Sequence, residues 1–267
     1  MLYTNNTNSV DLLHAIILGI VEGITEFLPI SSTGHLILAS NLLKIPQSEF
    51  VKTFEIAIQS GAILSVIFFY WRTLIRDFEL VKRVLVAFIP TAVIGFTLYK
   101  FIKQYLIGSP EIVLLSLFLG GIILILVELL FKAKSQQPKV NGQISYERAL
   151  VIGLFQSISI IPGVSRAAAT IIGGLLVGLP RKTAVEFSFF LAVPTMLAAT
   201  TLDLKQTSFT FDPNEWIALA FGFIISFIVA LLAIKWLLKF VQNNTFIPFG
   251  IYRIALSILY FLLLYHR

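Results

Sequence analysis

Between Glu22 and His35 the chain reads EGITEFLPISSTGH, a polar stretch inside an otherwise apolar run. Glu22 and Glu26 are four residues apart and therefore share one face of a helix. Two carboxylates held that close in a low dielectric do not both ionise cheaply, so they share a proton or flank a cation. A hard divalent ion, Mg²⁺ or Ca²⁺, takes oxygen ligands and suits the pair. After Pro29, the run Ser31, Ser32 and Thr33 stands just before the apolar LILAS. A hydroxyl there caps a helix whose first N–H groups can hold an anion. His35 falls in the first turn of that helix, within reach of whatever its N-terminus binds. Taken singly, each serine reads as a cap and the histidine as a paired group. Concentration changes this, because ionisable residues at membrane depth are costly and three of them gather in this short stretch.

A second stretch, PGVSRAAAT, supplies a complement. Pro162 and Gly163 turn the chain, Ser165 stands at a helix N-cap, Arg166 adds a permanent forked donor, and Thr170 follows one turn on. Arginine, helix N–H groups and hydroxyls together make a phosphate-holding set. Arg166 can also pair with Glu22 or Glu26 and neutralise them, which does not exclude phosphate binding. Carboxylates on one side and an arginine at a helix terminus on the other make a site for a phosphorylated molecule. Its membrane setting makes the rest of that molecule a lipid.

The elements that must carry these groups follow from composition. The chain has 267 residues, is 57% hydrophobic with 24 Phe, and is only 13% charged. That is far more apolar than a soluble domain, and it marks an integral membrane protein. There is no cysteine, so neither disulfides nor thiolate metal sites are available. The net charge of +6 does not imply nucleic acid, since the basic residues gather in short loops between apolar segments. The first basic residue is Lys44, so the start lacks the basic region of a cleavable signal peptide and is expected to stay in the mature chain.

About 20 apolar residues cross a bilayer. Segments of that kind run over 54–71, 84–101, 111–131, 184–201, 216–238 and 246–265, giving six expected spans. The pairs 10–28 with 33–43 and 148–160 with 167–179 are too short and are broken by Pro, Gly and Ser. They read as re-entrant hairpins, whose backbone survives at membrane depth only under a cover of protein or in a wet cavity. The basic loops around Arg72, Arg76, Lys82 and Arg83, and over 132–148, are expected in the cytoplasm. The first hairpin then enters from outside, the second from inside, and the acidic loop 202–215 lies outside.

The two hairpins also resemble each other. With one residue skipped, Glu22 aligns with Gln156, Pro29 with Pro162 and Ser32 with Ser165, and each hairpin is followed by a glutamate, Glu55 or Glu186. Segments entering from opposite sides are inverted-topology repeats, which put their site near the midplane. The expectation is an all-α polytopic membrane protein with six transmembrane helices plus two re-entrant helix hairpins. Repeat one covers about 10–131 with its hairpin at 10–43. Repeat two covers about 147–265 with its hairpin at 148–179, and a cytoplasmic linker at 132–147 joins them. Arg253, in the last span, is expected either to snorkel to the interface or to pair with a carboxylate.

In order along the chain, E-x-x-x-E-F-L-P-I-S-S-T-G-H, F-E-x-x-I-Q-x-G, P-G-x-S-R, E-F-S-F-x-L-A-x-P and Y-R-I resemble the bacterial undecaprenyl-diphosphate phosphatase family linked to bacitracin resistance. The resemblance runs from about residue 10 to the end. It implies hydrolysis of undecaprenyl diphosphate to the monophosphate that carries cell-wall precursors, in the bacterial inner membrane. By position it implies Glu22 and Glu26 as the acidic motif that holds the metal, Ser32 and His35 as the catalytic pair, and Ser165, Arg166 and Thr170 as a phosphate-binding motif. Ser31 and Thr33 join the phosphate ligands. The family's S-R-S-G-A-T is here S-R-A-A-A-T, so Ala167 and Ala168 are given no essential role.

Three attackers stay open: Ser32 with His35 as base, which is preferred, His35 itself, or a metal-bound water with Glu26 as base. A transporter of phosphorylated lipid that hydrolyses nothing is the alternative function, because broken helices in inverted repeats are a transporter design. The expected partners are the lipid diphosphate and membrane lipid, with a homodimer left open. The site is expected to open on the periplasmic side.

Overall fold

The computed structural model describes residues 10–46, 48–106, 109–134, 144–204 and 211–265, and within them every regular element is helical. The order is α1 (Leu12–Thr25), α2 (Ser32–Leu42), α3 (Glu49–Arg76), α4 (Phe78–Tyr105), α5 (Pro110–Lys134), α6 (Tyr146–Ser157), α7 (Arg166–Leu176), α8 (Arg181–Leu204), α9 (Pro213–Asn243) and α10 (Ile247–Tyr265), with one 3₁₀ turn at Ile158–Ile160. Among the described residues, α3, α4, α5, α8 and α9 are long and apolar enough to cross a membrane. Exposed Leu, Ile and Phe along them, such as Phe68, Phe96 and Leu232, suit a lipid-facing surface. The chain is a multi-pass membrane protein. The expected sixth span is α10, of which the stretch Ile247–Leu263 belongs with the shorter apolar helices. Residues 135–143 of the expected linker, 205–210 of the expected outer loop and the first nine residues lie outside the described set.

The broken segments are α1 with α2 and α6 with α7. Asp11 caps α1 by accepting from the His14 N–H at 2.8 Å, and Ser145 caps α6 by accepting from that of Arg148 at 3.3 Å. The second helix of each pair has eleven residues and is capped by a serine at positive φ, Ser31 at 72° and Ser165 at 74°. Each pair ends in a left-handed residue, Lys44 or Gly178. Asp11 and Ser145, Ser31 and Ser165, and Lys44 and Gly178 are all 134 positions apart.

The spacing therefore needs no skipped residue, which corrects the expected alignment. Ser31 is the counterpart of Ser165, and Ser32 is the counterpart of Arg166. Proline misled the comparison because its fixed φ is acceptable at either of two successive turn positions. The strained cap is not so tolerant, because a non-glycine residue at positive φ must be held by its surroundings.

Packing follows the same correspondence. The broken helix α1 lies against α9, α6 lies against α4, and α5 pairs with α10 as α3 does with α8. Gly19 of α1 and Gly153 of α6 occupy equivalent positions. A Cβ on Gly19 would meet Gly222 O at 2.9 Å, and one on Gly153 would collide with the Ala87 carbonyl. Backbones that close require a missing side chain, a common device in membrane helices, where small residues replace hydrophobic drive at the contact. Both broken segments are thereby pinned to a long helix, and their tips, residues 26–31 and 158–165, are brought face to face.

Candidate active site

Glu22 lies in the last turn of α1 and Glu26 follows as its C-cap, with the Glu26 N–H donating to Glu22 O at 2.9 Å. Both are buried. Glu26 has a donor on each oxygen: Ser32 Oγ donates to Oε2 at 2.6 Å, and Arg166 Nη2 donates to Oε1 at 2.9 Å. Ser32 and Arg166 are the first residues of α2 and α7, so the two tips meet on one carboxylate.

Arg166 is held on several sides. Its Nη1 donates to the Ser188 carbonyl at 2.9 Å and to Ser188 Oγ at 3.3 Å, and its guanidinium stands 5.8 Å over the Phe27 ring. Its Nε is buried with no protein acceptor. Thr170 is buried and its Oγ1 lies 2.6 Å from Ser188 Oγ, so it supports the residue that seats the arginine. Ser31 and Ser165 act as caps, accepting from the Gly34 N–H at 3.4 Å and the Ala168 N–H at 3.1 Å. Thr33 is exposed at the second position of α2. The first N–H groups of α2 and α7, at Ser32, Thr33, Arg166 and Ala167, have no intrahelical acceptor and face the anion-binding end of each helix.

The His35 ring makes no hydrogen bond to Ser32. Its Nδ1 is 2.7 Å from the Ser31 carbonyl and its Nε2 is 2.7 Å from Tyr252 Oη. A carbonyl only accepts, so Nδ1 carries the proton, and the neutral ring accepts from the tyrosine at Nε2. The ring stacks beside Tyr252 at 5.5 Å. The group on the serine hydroxyl is the carboxylate of Glu26. Sequence reasoning passed over Ser188 and Tyr252, although both stand inside quoted motifs, E-F-S-F and Y-R-I.

Both oxygens of Glu22 are buried and, among the described residues, receive no donor N–H or hydroxyl, with the Glu26 carboxyl as the neighbour that could share a proton with them. A buried carboxylate without a donor fits a hard divalent ion, and the oxygen chemistry suits Mg²⁺ or Ca²⁺. Among the described residues no three His, Asp or Glu side chains cluster tightly enough to enclose a metal. Substrate phosphate oxygens and water would therefore have to fill most positions, as is usual for Mg²⁺. Glu186 takes no part in the tips: it is near Tyr70 Oη at 3.5 Å and Lys182 Nζ at 4.0 Å.

The family described as bacitracin resistance protein BacA matches residues 15–259. The chain is 56% identical over 250 residues to an undecaprenyl-diphosphatase of Sulfurihydrogenibium, covering 94% of this chain and 98% of that one. It is 53% identical over 246 residues to an undecaprenyl-diphosphatase of Aquifex aeolicus, covering 92% and 96%. It is also 50% identical over 250 residues to one from Wolinella succinogenes, covering 94% and 97%.

Proposed function

The chain belongs to the bacitracin resistance protein BacA family, and on that premise we propose that its two facing tips carry out the undecaprenyl-diphosphatase reaction by nucleophilic attack from Ser32. The enzyme hydrolyses undecaprenyl diphosphate to undecaprenyl phosphate and inorganic phosphate, acting in a membrane on a membrane lipid. The observation that supports the catalytic assignment is the shared carboxylate, with Ser32 Oγ and Arg166 Nη2 both on Glu26.

The terminal phosphate sits against the N-termini of α2 and α7, where N–H groups and Arg166 neutralise its charge. Glu26 takes the proton from Ser32 Oγ as that oxygen bonds to the terminal phosphorus. The bond from phosphorus to the bridging oxygen breaks, and the lipid monophosphate leaves with that oxygen. Glu26 gives that proton to the departing lipid monophosphate and is a base again. Water then attacks the phosphoserine phosphorus, the bond from Ser32 Oγ to phosphorus breaks, the proton of the water passes through Glu26 to Ser32 Oγ, and inorganic phosphate departs. Most of what phosphoryl transfer asks of a protein is positioning and charge neutralisation, and the tips are built for both. Glu22 would hold a divalent cation, Mg²⁺ or Ca²⁺, which when bound would withdraw charge from the phosphate oxygens. His35 fixes the Ser31 cap through its carbonyl and so orients the start of α2.

Every group named comes from one chain, so the chemistry needs no second protomer. The basic loops favour a periplasmic opening for the site. Purified protein in detergent, given a prenyl diphosphate and Mg²⁺, should release inorganic phosphate. Binding of the lipid without release would favour a carrier of phosphorylated lipid instead.

A further inference from the structure

Arg253 of α10 is fully buried. It neither snorkels nor pairs with a carboxylate, since among the described residues none lies within ion-pairing reach of it. All five of its N–H donors end on backbone carbonyls. Nε donates to Leu117 O at 3.3 Å and Nη2 to Ser116 O at 3.0 Å, both on α5. Nη1 donates to Pro29 O at 3.3 Å, in the first tip, and to Val164 O at 2.9 Å, in the second. Nη2 also donates to Gly163 O at 3.0 Å. Pro29 and Gly163 are 134 positions apart, so one guanidinium holds the equivalent carbonyls of the two tips.

The surroundings are shaped for this side chain. A Cβ on Gly120 of α5 would run into Nη2 of Arg253, so the glycine leaves the space that the guanidinium fills. Gly163 is at φ 89°, a conformation open to glycine, and this carries its carbonyl into the fan. A planar fork with five donors spans carbonyls from three segments, which a lysine, with its donors on one atom, does not.

We propose that Arg253 is a positioning residue for the reaction: by binding the Pro29 and Gly163 carbonyls together against α5, it sets the separation of the two tips and so keeps Ser32 and Arg166 on the same carboxylate. This rests on the assignment of hydrolysis to the facing tips. Arg253 touches neither Ser32 nor Arg166, and its effect passes through the tip backbones that precede them.

The test uses the absence of cysteine in the chain. Leu42 and Leu176, equivalent exposed positions at the far ends of α2 and α7, are changed to cysteine and spin-labelled. The distance distribution between the labels is measured in detergent, beside kcat, KM and the unfolding midpoint. Arg253→Lys, Arg253→Met and Gly120→Ala, the last of which pushes on the guanidinium without removing it, are introduced into the labelled protein. The labels should be more widely and broadly spaced in all three. The kcat per folded molecule should fall by about 100-fold in Arg253→Lys, the scale of a misplacement near 1 Å, with a smaller change in KM.

If Arg253→Lys and Gly120→Ala keep the parent distances and kcat, the proposal is overturned, even where Arg253→Met fails to fold. A fall in kcat at unchanged distances also overturns it. If the parent protein releases no phosphate, the hydrolytic assignment fails, while the label distances still report whether Arg253 spaces the tips.

Discussion

Glu26 receives a serine hydroxyl and an arginine at once, and this decides which substitutions remove chemistry and which only loosen it. On the proposed mechanism Ser32→Ala removes the attacking oxygen, and kcat should drop by about 10³-fold or more in phosphate release. Glu26→Gln keeps the shape but loses the proton acceptor, with an expected loss of about 10²–10⁴-fold. His35→Gln should behave differently: phosphoserine still forms on Ser32, more slowly, because the base is elsewhere. Rapid-quench trapping would separate the two. Glu22→Gln should raise the Mg²⁺ concentration needed for half-maximal rate, read from a metal titration after chelation, whereas an unchanged requirement would remove Glu22 from the metal role. The residue types at the site were legible from sequence, since paired carboxylates and an arginine have little other reason to sit at membrane depth. Their pairing was not, because contact between residues 26 and 166 depends on how two broken segments meet. His35 was placed with Ser32 on sequence proximity, yet its position in the first turn directs its ring to the cap carbonyl and to Tyr252.

At the scale of elements, the serine caps of α2 and α7 and the glycine contacts of α1 and α6 hold the tips, and an ion pair ties two of the long helices, α5 and α8, beside them. Glu128 of α5 is fully buried, accepts from Nε and Nη2 of Arg181 on α8, and accepts the Phe246 N–H before α10 at 3.3 Å. Removing one partner of such a pair leaves an uncompensated charge. Glu128→Ala should therefore destabilise the fold by about 3 kcal/mol, lowering the unfolding midpoint in detergent while leaving kcat per folded molecule nearly unchanged. Gly19→Leu should be worse for activity, because it pushes α1 off the Gly222 backbone and moves Glu22 and Glu26 with it. The broken helices were readable because Pro, Gly and Ser interrupt apolar runs too short to cross a bilayer. The register between them was not, because the marker that fixes it is a positive-φ serine cap, a backbone property with no signature in residue type. The role of Arg253 was equally hidden, since five carbonyl acceptors leave no trace in the side chains around it.

At the scale of the molecule, ten helices among the described residues surround one site, and membrane orientation decides which compartment supplies water and receives phosphate. A membrane-impermeant maleimide should label Thr33→Cys from the periplasmic side and Asp77→Cys, in the α3–α4 turn, from the cytoplasmic side. Labelling of Thr33→Cys from the cytoplasmic side would reverse the assigned orientation. The central claim is that two tips from separate halves of the chain form one hydrolytic centre with Ser32 as its nucleophile. It is tested most directly by mixing the enzyme with a prenyl diphosphate radiolabelled at the terminal phosphorus, quenching in acid within the first turnover, and mapping the label by peptide mass spectrometry. The account predicts phosphate on Ser32, absent in Ser32→Ala and in Glu26→Gln. First-turnover phosphate that carries solvent oxygen, with no labelled protein at any time, would contradict it.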